Sequence, residues 1–217
     1  MTEPTKSTWD LLQEAIKNGR TDEALELLED GVNTSISQQN SLVSFVGMVA
    51  THLAKFGEEE LGKIYRERYY TKAKTWIETT PGVEESVQKL VKLMESPGSK
   101  ITVTEEPDRY VVSLDPCRTG GRLRRDLIVA PSKTPIVNVG TMKKAYPWCW
   151  GKSGVSYYCA HSCLFFEILP IELRDYPIAV IEYPENPEDP CVFLFYKKPE
   201  LIPEEYFTRV GKTKTIK

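Results

Sequence analysis

The sequence lacks most of the features that would place a protein at a glance. It has no basic field: 28 Lys and Arg stand against 31 Asp and Glu, for a formal charge of −3. The electrostatic footprint of a nucleic-acid binder is missing, and no nucleic-acid partner is expected. It has no apolar run long enough to span a bilayer, since the stretch around residues 42–50 is short and interrupted, and its opening Met-Thr-Glu-Pro-Thr-Lys-Ser has no apolar signal-peptide core. A soluble, cytoplasmic protein with no membrane partner is the expectation. It has no internal repeat, and no Walker loop, because the Lys-Ser/Thr pair is absent beside its glycines. Its five cysteines are an odd number that leaves at least one thiol unpaired in any intramolecular scheme. A chain of 217 residues with 41% hydrophobic content has core enough to fold without staples. Free thiols or metal ligands are therefore expected ahead of disulfides.

What is present falls into two halves. Residues 7–30 divide at Asn18-Gly19, a helix stop, into a short helical hairpin. A longer helical region follows from about Ser37 to Ile77, with apolar residues at 42, 45, 46, 49, 53, 56, 61, 64 and 65 and a break at Phe56-Gly57. Val83 to Met94 reads as one more amphipathic helix. The period then changes: Ile101-Thr-Val-Thr and Tyr110-Val-Val-Ser-Leu read as a hairpin, and Ile178-Ala-Val-Ile-Glu-Tyr and Cys191-Val-Phe-Leu-Phe-Tyr as two further strands. Residues 116–157 read as a long site-forming loop. Ser162 is a candidate N-cap for a short helix from Cys163 to Leu169, stopped by Pro170. Helices first and strands afterwards predict an α+β fold, with N-terminal helices packed on a small, mainly antiparallel sheet. Residues 1–35 are expected to be a helical appendage and 36–217 a single domain.

Two clusters carry candidate chemistry. Asp115-Pro-Cys-Arg-Thr-Gly-Gly-Arg-Leu-Arg-Arg125 sets a thiol at a strand end beside a glycine pair and four arginines. Gly120 and Gly121 would let backbone amides approach a ligand, and Arg118, Arg122 and Arg124 could hold a carboxylate through guanidinium forks. A tight turn with solvated arginines and a buried small hydrophobe fits the same letters. The second cluster is Tyr157-Tyr-Cys-Ala-His-Ser-Cys-Leu-Phe-Phe-Glu167. In an extended or turn conformation Cys159, His161 and Cys163 would share one side and suit zinc or another divalent transition metal. In a regular helix His161 would face away from both sulfurs. With Ser162 as cap, Cys163 would sit in a first helical turn and Glu167 one turn later on the same face. Cys163, Phe166 and Leu169 could equally be a buried stripe. Cys149, between aromatics, reads as packing. Cys191 alternates with Phe193 and Phe195 as on a core-facing strand, although it could serve as a further metal ligand. His52 reads as a polar position on a helix surface.

Three of these stretches carry a resemblance: Arg109-Tyr-Val-Val-Ser-Leu-Asp-Pro-Cys117, Cys163 at a helix start with Glu167 behind it, and Asp189-Pro-Cys191-Val-Phe-Leu-Phe-Tyr-Lys. In this order they resemble the L-2-amino-thiazoline-4-carboxylic acid hydrolase-like family. The Gly-Gly-Arg-Leu-Arg-Arg loop and residues 126–157 are extra to that family's pattern. The resemblance implies a helical half before a small sheet, and a hydrolase opening a cyclic carbon–nitrogen or carbon–sulfur bond in a small carboxylate-bearing molecule.

The leading expectation is such a hydrolase, built from Cys117, His161, Glu167 and Asp115. A metal held by Cys117, His161, Cys163 and Cys159 would activate water, or Cys117 would be the nucleophile with His161 as base. The competing expectation is a non-catalytic metal- or ligand-binding or redox-sensing module. An exposed apolar face on the 42–65 helix would make a homodimer.

Overall fold

Ser7 starts the first helix with a capping box, its hydroxyl accepting from the Asp10 amide while the Asp10 carboxylate reaches back. The computed structural model describes residues 6–95, 98–128 and 139–216. Helix α1, Thr8–Lys17, ends at Asn18-Gly19, where Gly19 takes a positive φ of 67°. Helix α2 then runs from Thr21 to Leu53 without a break, through the boundary expected at residue 35, so the first residues form one hairpin with the long helix. The chain breaks where expected, at Gly57 with φ 128°, before α3, Glu58–Thr79. Helix α4, Val83–Glu95, buries Val87, Leu90 and Met94 at three- and four-residue spacing. Leu42, Phe45 and Met48 remain exposed on α2. No helix among the described residues is long and apolar enough to cross a membrane.

The sheet follows, and the fold is α+β as the sequence predicts. Strands β1, Ile101–Glu105, and β2, Arg109–Leu114, form the expected hairpin; β3, Val180–Glu182, is shorter than its predicted span; and β4 is Cys191–Tyr196. All pairs are antiparallel and the spatial order is β1-β2-β4-β3. The long β2–β4 ladder sets Leu114 opposite Cys191 and Arg109 opposite Tyr196. That register brings the end of β2, and hence residue 117, to the start of β4.

Between β2 and β3 one helix enters the expected loop and a longer helical segment takes the place of the expected short helix. Helix α5, Gly120–Ile128, begins at the glycine pair itself. Further on, α6 spans Tyr157–Cys163, a π-helical turn covers Leu164–Ile168, and α7 covers Leu169–Arg174, so residues 157–174 are one continuous helical rod. Ser162 therefore lies inside a helix and caps nothing, and Pro170 stops nothing. Proline has no amide to return to Phe166, and the freed Phe166 carbonyl instead accepts from Ile178 N at 2.8 Å. This joins the rod to the strand beside it. Helix α8, Glu205–Thr208, carries the chain back to the core, where Phe207 is fully buried.

Candidate functional site

The α6 helix decides the fate of the second cluster. Side chains two residues apart on a helix diverge, so His161 leaves the rod away from Cys159 and Cys163, and the two sulfurs, a turn apart, meet different neighbours. The Cys159 sulfur lies against Gly120, where an added Cβ would stand 2.2 Å from it. His161 stacks on Tyr69 with ring centroids 4.9 Å apart, and its Nδ1 is hydrogen-bonded to the Tyr158 carbonyl. Burial pushes its pKa down to about 4 and leaves a neutral imidazole. The Cys163 thiol is fully buried and donates to the Pro147 carbonyl at 3.5 Å. The expected metal set of Cys117, His161, Cys163 and Cys159 is thus not assembled. Among the described residues no three His, Cys, Asp or Glu side chains converge in a way that could hold a metal ion. Zinc does not fit these residues.

Glu167 and Asp115 are likewise away from any reacting centre. The π-helical turn swings the Glu167 carboxylate into the core, where it accepts from Trp150 Nε1 at 2.7 Å, Ile181 N at 2.9 Å and Arg209 Nη2 at 3.0 Å. It is a fully buried structural cross-link, not an acid or base facing substrate. Asp115 is exposed at the end of β2 and its backbone pairs with Lys100. The peptide from Asp115 to Pro116 is cis.

Cys117 is where the structure concentrates unusual chemistry. Its sulfur sits just before α5 and takes a hydrogen bond from the Gly121 amide at 3.4 Å, while Thr119 Oγ lies 3.3 Å away. The largest influence on its charge is the Cys191 thiol at the start of β4. These donors, led by Cys191, outweigh desolvation and hold the Cys117 pKa down at about 5, while Cys191 is pushed well up. The first turn of α5 adds its oriented amides on the same side. Of the remaining thiols, burial raises Cys159 to about 12 and also raises Cys149 and Cys163.

Arg124 is the buried cation beside Cys191. It is 3% exposed, with Nη1 and Nη2 each 3.6 Å from Cys191 Sγ and Nη2 3.4 Å from the Asp189 carbonyl. Its guanidinium lies 5.3 Å from the Tyr183 ring, and no carboxylate among the described residues pairs with it. The buried guanidinium favours the charged form of the sulfur it faces, against the Cys117 hydrogen bond and the burial that push Cys191 up.

The arginines expected to act together are divided. Arg122 Nη2 donates to the Asn40 carbonyl at 2.9 Å and to Ser44 Oγ at 2.8 Å, on α2. Arg125 donates to the Cys117 carbonyl at 2.8 Å and pins the turn. Arg118 is exposed at the lip of the cluster, with its backbone amide on Ser99. Gly120 and Gly121 are required by close approach, to Cys159 Sγ and to Cys117 Cβ at 2.7 Å from an added Cβ. Their place in the site is to admit sulfurs against the backbone.

Sequence reasoning ranked Cys191 as a core-facing strand residue and overlooked Thr119. The only local sign was the recurrence of Asp-Pro-Cys at 115–117 and 189–191. Compared with known proteins, the chain matches no family model, no curated protein and no solved structure.

Proposed function

We propose that the protein is a thiol-dependent hydrolase that opens a cyclic carbon–nitrogen or carbon–sulfur bond in a small carboxylate-bearing molecule, with the Cys117 thiolate as nucleophile. The observation that carries this reading is the setting of one sulfur: the Gly121 amide donates to Cys117 Sγ at 3.4 Å and Thr119 Oγ lies 3.3 Å from it, and its pKa is lowered from that of an ordinary thiol. No base is then needed to activate the nucleophile, which removes the need for His161. In this reading Arg118, exposed and next to the nucleophile in the chain, holds the substrate carboxylate.

The chemistry closes on the two thiols. Cys117 Sγ bonds to the electrophilic ring carbon, the ring carbon–nitrogen or carbon–sulfur bond breaks, and the leaving atom takes the Cys191 proton. Water then attacks the same carbon, gives its proton to the Cys191 thiolate and releases Cys117 as thiolate, so both residues return to their starting states.

The test is hydrolysis of a panel of five-membered cyclic imines and amides bearing a carboxylate, by wild type, Cys117→Ser and Arg118→Ala. Loss of turnover in Cys117→Ser and a raised KM in Arg118→Ala are expected. Turnover that survives Cys117→Ser would remove the basis of this reading.

A further inference from the structure

Arg174 closes α7, and among the described residues no carboxylate pairs with it. A guanidinium is a fork of several N–H donors. The bond that Arg174 makes with its fork is from Nη2 to the Pro177 carbonyl at 3.3 Å, while its Nε is buried without a partner. The guanidinium lies 4.2 Å from the centroid of the Tyr176 ring, which holds its plane. Burial pushes its pKa down, whereas the Glu172 carboxylate bonded to Arg66 holds that guanidinium up.

Arg174, Tyr176 and Pro177 stand together in the wall of a cavity of about 120 Å³. The rest of its lining includes Val83, Ile178, Leu194 and Ile202, of which the last three are buried. Among the described residues no Asp or Glu lines it. Lys197 is in the wall but is neutralised by Glu105 at 2.6 Å. The Glu85 carboxylate lies against Gly82, so the start of α4 at the rim already faces its own acid. Arg174 is therefore the cation of this cavity that lacks a counter-ion. The cavity is also well away from Cys117. Tyr196, which lines it, pairs with Arg109, and at ~3.4 Å per residue that pair stands ~17 Å along the ladder from Leu114 and Cys191.

We propose that this cavity binds a small organic carboxylate, its charged end on the Arg174 guanidinium and its apolar body among Val83, Ile178, Leu194 and Ile202, a site independent of the hydrolytic reading at Cys117. A guanidinium fork takes a carboxylate through parallel N–H···O bonds. At ~10–15 Å³ for each water-sized occupant, the cavity has room for ~8–12 non-hydrogen atoms. Inorganic phosphate carries the charge but leaves the apolar wall wet. A neutral amide of the same shape fills the wall but gives the guanidinium no anion.

The experiment titrates sodium benzoate into the full chain, with its Ile, Leu and Val methyl groups carbon-13 labelled, and follows the methyl resonances. The Ile178, Leu194 and Ile202 methyls are expected to shift under the ring current and to saturate with a Kd of ~1 mM or below. Benzamide and inorganic phosphate should each bind ~10–100-fold more weakly, as should benzoate to Arg174→Met, which keeps an aliphatic stem on Tyr176 and loses the charge. The comparison of benzoate with benzamide uses the wild type, so it decides the matter even if Arg174→Met does not fold. No saturating shift below about 10 mM, equal affinity for benzamide or phosphate, or unchanged affinity in a folded Arg174→Met would overturn the inference. Shifts confined to Leu114 and Leu123, at the Cys117 end of the ladder, would put the carboxylate there and overturn it as well.

Discussion

The pH dependence of Cys117 alkylation can be worked out from the structure in advance. With a pKa of about 5, Cys117 is ~90% thiolate at pH 6, whereas an ordinary thiol near ~8.5 is ~0.3% thiolate, a ratio of ~300. A less basic sulfur is also a weaker nucleophile, and a Brønsted slope of ~0.4–0.5 over ~3.5 units returns ~25–50-fold of that advantage. The net expectation at pH 6 is a rate ~10-fold above a free thiol, less whatever burial takes from access. Burial changes the height of the profile and not its midpoint, so the shape is the cleaner readout. The rate should rise with a midpoint near pH 5 and be flat above about pH 6.5, with one thiol reacting because the other four are pushed up or capped in the core. The largest contributor can be removed by itself. A hydrogen bond to a charged group contributes ~1.5–3 kcal/mol, or ~1–2 units of pKa, so Cys191→Ala should move the midpoint up by about that much. Cys191→Ser, which still donates, should leave it close to the wild-type position. A rate that keeps climbing tenfold per pH unit through pH 8 in the wild type, or equal midpoints for Cys191→Ala and Cys191→Ser, would refute the reasoning.

Gly120→Ala drives a Cβ to 2.2 Å from Cys159 Sγ, so a loss of about 1–3 kcal/mol in urea unfolding is expected, with the Cys117 midpoint raised as the α5 start is displaced. Adding Cys159→Ala, which removes the clashing sulfur, should recover most of that loss; an additive double variant would show the contact to be irrelevant. Glu167→Gln should lower stability by about 3–5 kcal/mol, since Arg209 loses its buried partner, while the Cys117 profile stays where it is. A midpoint shift in Glu167→Gln would return that carboxylate to the site. His161 predicts an acid-side instability. Its folded pKa of about 4 lies below its ordinary value of 6.5, so the unfolded chain binds the extra proton, and stability is lost as pH falls from about 6.5 towards 4, by ~2 kcal/mol at pH 5. Denaturant unfolding of His161→Phe against wild type at pH 7 and pH 5 isolates this contribution, and an equal pH dependence in the two proteins would contradict it.

The blocks of structure were legible because they are local. Three- and four-residue apolar spacing marked α4, β-branched runs marked β1, β2 and β4, and Gly19 and Gly57 marked helix ends, each through the conformations its own residues prefer. The local signals failed where a neighbour overrode them. Gly-Gly reads as loop, yet the arginines after it form α5, with two of them bonded to α2 and to the start of β4. Ser162 reads as a cap, yet the rod begins at Tyr157 and runs through Pro170, because the carbonyl that proline frees is taken by Ile178.

The sequence by itself determined that Cys117 stands beside glycines and arginines at a strand end, and that at least one of five cysteines is unpaired. Tertiary structure decided which of them matter. Helix α6 turned His161 away from Cys159 and Cys163, and the β2–β4 register set Cys191 opposite Leu114, three residues before Cys117, with Arg124 buried against its sulfur. A pairing between residues this far apart in the chain leaves no local periodicity to read. It is fixed by which hydrophobic faces the ladder buries.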